Sequence, residues 1–318
     1  MWPPPYRKNG HMPAADKAVS MKRQKSYIAQ RESRTGWLFV LPALILFVCF
    51  VLLPTLAMLV LGFTKYNMLK PPTFNGLDNL MEVLTDQKLH VVAWNTCKLT
   101  VAAVILNIVI GLVLALMIAN RRNGIFSYII RLLYFFPAIV APAYIAVIWT
   151  ILLAKDTGLV NYYLGKIGIE PIGWLTDASV SLWSIIGIDV WRNIGFIMII
   201  LLAGIKNISY DYYEAAALDG ANAFQLARHI TIPLLTPSIL FVLIINVISE
   251  LKSFDIPNIM TKGDPVDSTR TMAMYIYNLA FQRMNMGYAC MVSILFVAVI
   301  MVVTVIQLKM SDRWVNYD

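Results

Sequence analysis

Long apolar runs alternate with short polar stretches along this chain. The first run, Trp37–Phe63, carries no charged residue. Five more follow at Leu99–Ala119, Leu132–Ala154, Val180–Ile205, Leu234–Ser249 and Met286–Leu308, and only the fourth contains charges, Asp189 and Arg192. About 20 apolar residues cross the hydrocarbon of a bilayer, so the pattern predicts six membrane-spanning helices. The fifth is the shortest, with 16 uncharged residues. The first run is longer than the apolar part of a cleavable signal, about 7–15 residues, and reads as a span. Pro137 and Pro142 predict a kink in the third.

Composition agrees with this pattern. Of 318 residues, 59% are hydrophobic and 14% charged, more apolar surface than a soluble domain hides. The expected fold is all-α and polytopic. Its divisions are a basic tail at 1–36, the first span and its loop at 37–90, a five-helix core at 91–310 and a short tail at 311–318. The net charge of +8 follows topology: with the N-terminus inside, Lys and Arg number 15 in the inner segments and 9 in the outer ones. That bias places both termini in the cytoplasm and accounts for the charge without nucleic acid.

Between the fourth and fifth spans lies Tyr213–Pro233, rich in helix formers but interrupted by the turn signal Asp219-Gly220. It predicts two short helices at an angle, Asp211–Leu218 and Ala221–His229, with Pro233 closing the unit. Glu214-Ala215-Ala216, Gly220, Ile230 and Pro233 stand at the spacing of the Glu-Ala-Ala loop of bacterial ABC importer permeases; Ile232 replaces the usual Leu. The chain resembles the carbohydrate-type branch of that family over about residues 36 to 310. Gly76-Leu77-Asp78-Asn79, Phe136-Pro137 and Gly263-Asp264-Pro265 are similar to that branch as well, with Asp264 departing from its Gly-Gly-Pro.

The resemblance implies a type I importer permease of a bacterial inner membrane. It implies a second related permease subunit, two ATPase subunits that dock at the 209–233 elbow, and an extracytoplasmic solute-binding protein. Glu214, Ala215, Ala216, Asp219, Gly220, Ile230 and Pro233 would then form the coupling surface. Bare helix propensity and a solvated N-terminal Glu are the alternative reading of the same residues. No Gly-x-x-x-x-Gly-Lys-Ser/Thr occurs, so ATP and magnesium are expected on the partner and no cofactor or metal on this chain. No grouping of residues suggests catalysis.

Charges inside a span cost about 2.5–3.5 kcal/mol each on insertion scales, so they face an interior or a wet cavity. Asp189, Arg192, Asn193 and Phe196 share one face of the fourth span; Asn246, Glu250 and Ser253 share one on the fifth and its extension. In the maltose-type relatives, sugar contacts come from these two helices at corresponding offsets, which implies a substrate pathway. Pairing of Asp189 with Arg192, bracing the bundle alone, remains open, as does the choice between a neutral and an anionic sugar. An ion-coupled secondary transporter, a membrane enzyme and a structural subunit are rival readings; the first would need its own ion site and usually internal repeats, and the halves show none.

Overall fold

The computed structural model describes residues 36–119 and 124–315. The basic tail, Arg121-Arg122 and the last three residues lie outside them. The chain divides into two compact units, Met1–Met58 and Leu59–Asp318. In the first, the described residues form most of α1 (Gly36–Leu61), apolar throughout, with a π-type turn at Val48–Leu52 just ahead of Pro54.

In the second unit, β1 (Thr64–Lys65) and β2 (Thr73–Phe74) form a short antiparallel ladder. Next come α2 (Asp78–Thr85), α3 (Gln87–Ala119), α4 (Gly124–Ile139), α5 (Pro142–Leu152) and α6 (Leu159–Lys166). They are followed by α7 (Ser181–Lys206), α8 (Tyr210–Leu218) and α9 (Ala223–Leu234). The last four are α10 (Thr236–Leu251), α11 (Asp255–Met260), α12 (Met272–Tyr277) and α13 (Met286–Ser311).

The buried centre is α7, which packs on α3, α4, α10 and α11. Its contact with α4 is intimate: a Cβ on Gly195 would sit 1.9 Å from the Tyr134 carbonyl oxygen, so no larger residue fits there. Ile185, Ile197, Met198 and Leu201 of α7 are fully buried in the two apolar clusters on either side of this contact.

Among the described residues four helices, α1, α3, α7 and α13, are long and apolar enough to cross a membrane, and the count reaches six when each of two bent pairs is one span. The third expected span is one of these pairs. It is broken outright, α4 and α5 meeting at 99°. Pro137 sits inside α4 without ending it, whereas Ala141, held extended by the ring of Pro142, interrupts the helix. The second pair, α9 and α10 with its continuation, bends by 65°.

The corner between α2 and α3 is fastened to the segment before α13 by polar contacts. Tyr275 and Tyr288 both donate to Asp86 Oδ2, whose other oxygen accepts the Lys88 and Leu89 amides. Lys88 Nζ lies 2.7 Å from Asp267, which Arg270 also contacts, and Asn95 Nδ2 donates to the Asp267 carbonyl at 2.7 Å. Partial burial pushes the Asp86 carboxyl up, but the phenol and amide donors outweigh it and hold the group below its ordinary 3.8. A carboxyl so depressed stabilises the fold above that value and ceases to as pH falls through the lowered one. Thermal melts of purified protein are expected to show stability falling below about pH 4. Asp86→Asn should melt lower at neutral pH, by about 2 kcal/mol, and show a flatter acid limb; an unchanged acid limb would remove Asp86 from this role.

Candidate functional site: a coupling elbow and a buried polar cavity

The elbow forms as its residues dictate. Ser209 caps α8, its hydroxyl accepting from the Asp211 amide. At the other end Gly220 takes φ +78°, a conformation that costs glycine nothing. Its N–H donates to the Ala217 carbonyl and that of Ala221 to Ala216, the paired bonds of a Schellman turn. Asn222 then opens α9 with a reciprocal capping box to Gln225. The Tyr213 hydroxyl meets that of Thr231 at 3.1 Å and ties the two limbs together.

The second limb differs from expectation. It starts at Ala223 and runs through Pro233 to Leu234, and the bend comes after Leu234. A π-type turn at Ala227–Thr231 directly before Pro233 loosens the backbone where the proline supplies no N–H. Glu214, Ala215, Asp219 and Gly220 are exposed; Ala216, Ile230 and Pro233 are half-buried. Leu218 and Phe224 beside them are also exposed, giving the elbow a small apolar crown.

The second cluster lies where α7 meets α10. Asp189 and Glu250 are buried, 5% and 2% exposed. Asn193 bridges them, its Nδ2 donating to Asp189 Oδ2 at 3.0 Å and to Glu250 Oε1 at 3.3 Å. Arg192 Nη2 stands 3.7 Å from Asp189 Oδ1, and its Nε is buried with no hydrogen-bond partner among the described residues. Asp189, Arg192, Glu250 and Ser253 line a cavity of about 220 Å³ together with Lys252 and Asp255.

Of the seven expected pathway residues, these four share the cavity and Asn193 braces its wall. Ser253 arrives by a different route than expected: α10 ends at Leu251, and the chain turns through Lys252 to bring Ser253 round. Asn246, four residues before Glu250 on α10, is also buried and accepts from Asn107 Nδ2 of α3 at 3.4 Å. Phe196 stands outside this cavity and is 48% exposed. Asn107 was not anticipated. Its signal was an amide side chain in the middle of an otherwise apolar span, the rare polar residue that hydrocarbon penalises.

Residues 107–317 match the family described as binding-protein-dependent transport system inner membrane component. The chain belongs to this family. It is 34% identical over 309 residues to the probable ABC transporter permease protein YesP of Bacillus subtilis (strain 168), covering 95% of this chain and 97% of that one. It is 37% identical over 281 residues to the lactose transport system permease protein LacF of Rhizobium radiobacter, covering 86% and 92%. Among solved structures, a chain of the bacterial alginate ABC transporter in complex with alginate pentasaccharide-bound periplasmic protein matches with a TM-score of 0.81, over 90% of this chain and 97% of that one, at 23% identity. That likeness establishes the shared fold. The chain is thus a permease subunit of the binding-protein-dependent ABC type, a transport component of the membrane rather than an enzyme.

Within this permease, Asn193 is the neutral donor common to two buried carboxyl groups. Asn193→Leu leaves both short of a donor and is expected to destabilise the protein by about 2–3 kcal/mol. The melting temperature of the detergent-purified subunit measures this; a melt equal to wild type would mean that water or Arg192 replaces the bridge.

Proposed function

We propose that this permease forms half of a pathway for a sugar or oligosaccharide across a bacterial inner membrane, driven by ATP through the 209–233 elbow. One observation carries the reading: the polar cavity and the elbow are built on the same two helices. Asp189–Asn193 lie on α7 and Glu250 on α10. The elbow joins the far end of α7 to the start of α10. About 13 residues separate the two sites along each helix, roughly 20 Å at 1.5 Å per residue. A push on the elbow therefore reaches the cavity through rigid rods.

The second half of the pathway belongs to a related permease subunit. Two ATPase subunits dock at the two elbows in the cytoplasm, where both termini also lie, and an extracytoplasmic binding protein delivers the solute. ATP and magnesium are held by the ATPases, whose closure supplies the force. On this chain Glu214 faces a basic group of the ATPase, and Ala215, Ala216 and Gly220 allow close approach. The exposed Leu218 and Phe224 add apolar contact. Alternating access then follows as rigid-body rocking around Asp189, Arg192, Asn193, Phe196, Asn246, Glu250 and Ser253. Hydroxyl groups of a sugar suit the acceptors and donors of this set, and Phe196 offers an aromatic face.

The test is isolation of the chain from its native membrane with whatever it holds. A Walker-A subunit should co-purify, and sugar-loaded binding protein should stimulate ATP hydrolysis. Glu214→Lys and Gly220→Pro are expected to lower stimulated hydrolysis and uptake roughly a hundredfold while leaving the melting temperature of the subunit near wild type. Proline cannot adopt the φ of +78° found at residue 220, so the turn, rather than the bundle, is what it breaks. Normal transport by either variant, or transport by the lone chain on an ion gradient, overturns the reading.

A further inference from the structure

On the side of α7 away from the polar cavity, its first half forms an aromatic groove with α5. Trp183, Gly187 and Trp191 follow at i, i+4 and i+8 and share one face of α7. Asp189 and Asn193 stand about half a turn round the helix from that face. Trp149 of α5 meets Trp191 edge to face, with ring centroids 5.6 Å apart. Trp174, from the loop before α7, completes the lining of a groove of about 430 Å³. We propose that this groove is a phospholipid site, in which one acyl chain lies along the indoles and the glycerol esters sit at the rim beside Trp183.

Length is the first reason for that occupant. From Ser181, where α7 starts, to Trp191 is about 15 Å at 1.5 Å per residue. One leaflet supplies about half of a hydrocarbon core some 30 Å thick. The groove thus has the length of a chain from a single leaflet. Polarity is the second reason. Ser184 already gives its hydroxyl to the Val180 carbonyl, and the Trp174 indole donates to Asn161 Oδ1 at 2.9 Å. A sugar lodged here would bury hydroxyls without partners, whereas an acyl chain has none to satisfy.

The rim supplies the third. Trp183, in the first turn of α7, is 59% exposed, and its N–H has no acceptor among the described residues. Tryptophan collects at membrane interfaces, where a lipid ester carbonyl offers such an acceptor. Gly187 opens the space between the two α7 indoles. It is exposed, and a Cβ there would meet nothing within 4 Å. A larger side chain at 187 therefore enters the groove without displacing its walls. Ile148 and Ile151 of α5 are exposed and apolar as well, which suits a lipid-covered side. The leaflet is the outer one in the orientation proposed above.

The experiment uses the complete importer, so that every partner subunit is in place. It is reconstituted in vesicles of phosphatidylethanolamine and phosphatidylglycerol, extracted in mild detergent and delipidated stepwise. Native mass spectrometry counts the phospholipids that stay. Wild type is expected to keep one phospholipid that Gly187→Leu loses at the same step. Trp183→Phe keeps the wall and removes only the N–H, and should weaken retention roughly fivefold, the worth of one hydrogen bond. Equal retention by wild type and both variants overturns the proposal. A second measurement uses vesicles of phosphatidylcholine brominated on its acyl chains, which quenches the indoles it touches. The fluorescence that Trp191→Phe removes is the share of Trp191 itself, and that share is expected to be quenched. An unquenched share means that a protein neighbour covers the groove, and the lipid site is then wrong. Neither readout uses transport, so failure here leaves the pathway reading untouched.

Discussion

Everything in the second unit turns on how two acids are tolerated between membrane-spanning helices. Asp189 and Glu250 are buried where α7 meets α10, and charge in such a place is costly unless it is bonded. The compensation is local and compact. Asn193 reaches both carboxyl groups, and Arg192 approaches the first. Removing a single member leaves the others unpaired, which costs far more than the network contributes when complete. The arrangement therefore fixes the relative position of α7 and α10. The apolar packing around it, shaped by the Gly195–Tyr134 contact, holds α7 against α4 as well.

This placement is what the proposed coupling of elbow and cavity requires. Packed interiors have discrete arrangements rather than a continuum of them. Under that proposal a shift at the elbow would move α7 and α10 as bodies, because close-packed contacts resist stretching. The elbow itself is prefolded. A Schellman turn at Gly220, an Asn222 capping box and the Tyr213–Thr231 bond set its shape without a partner. A partner that docks there pays little ordering entropy, and force is not lost in bending the loop.

Much of this was legible in the chain itself. Spans α3 and α13 follow from uninterrupted apolar runs and α7 from one broken only by Asp189, Arg192 and Asn193, while the elbow's first limb and its turn follow from propensity and Asp219-Gly220. The i, i+3, i+4 placement of Asp189, Arg192 and Asn193 correctly put them on one face. What escaped was set by longer-range contacts or by backbone detail. The π-type turn that lets α9 pass through Pro233 has no compositional mark. The 99° break between α4 and α5 needed the distinction between Pro137, tolerated within its helix, and Pro142, which ends one. The Asp86 clamp joins residues nearly 200 positions apart, and no local pattern announces such a partner. Asn107 meeting Asn246 is of the same kind.

The cavity also shows why a charged residue in a span should be judged by its neighbours rather than by its own sign. Arg192 alone invites an anionic solute. With Asp189 3.7 Å away, part of its charge is answered within α7, while its Nε keeps no hydrogen-bond partner among the described residues. Glu250 is among the most deeply buried side chains and meets Asp189 through Asn193. The acid–amide contacts that hold α7 to α10 also line the cavity between them, so the same residues set its polarity and its shape.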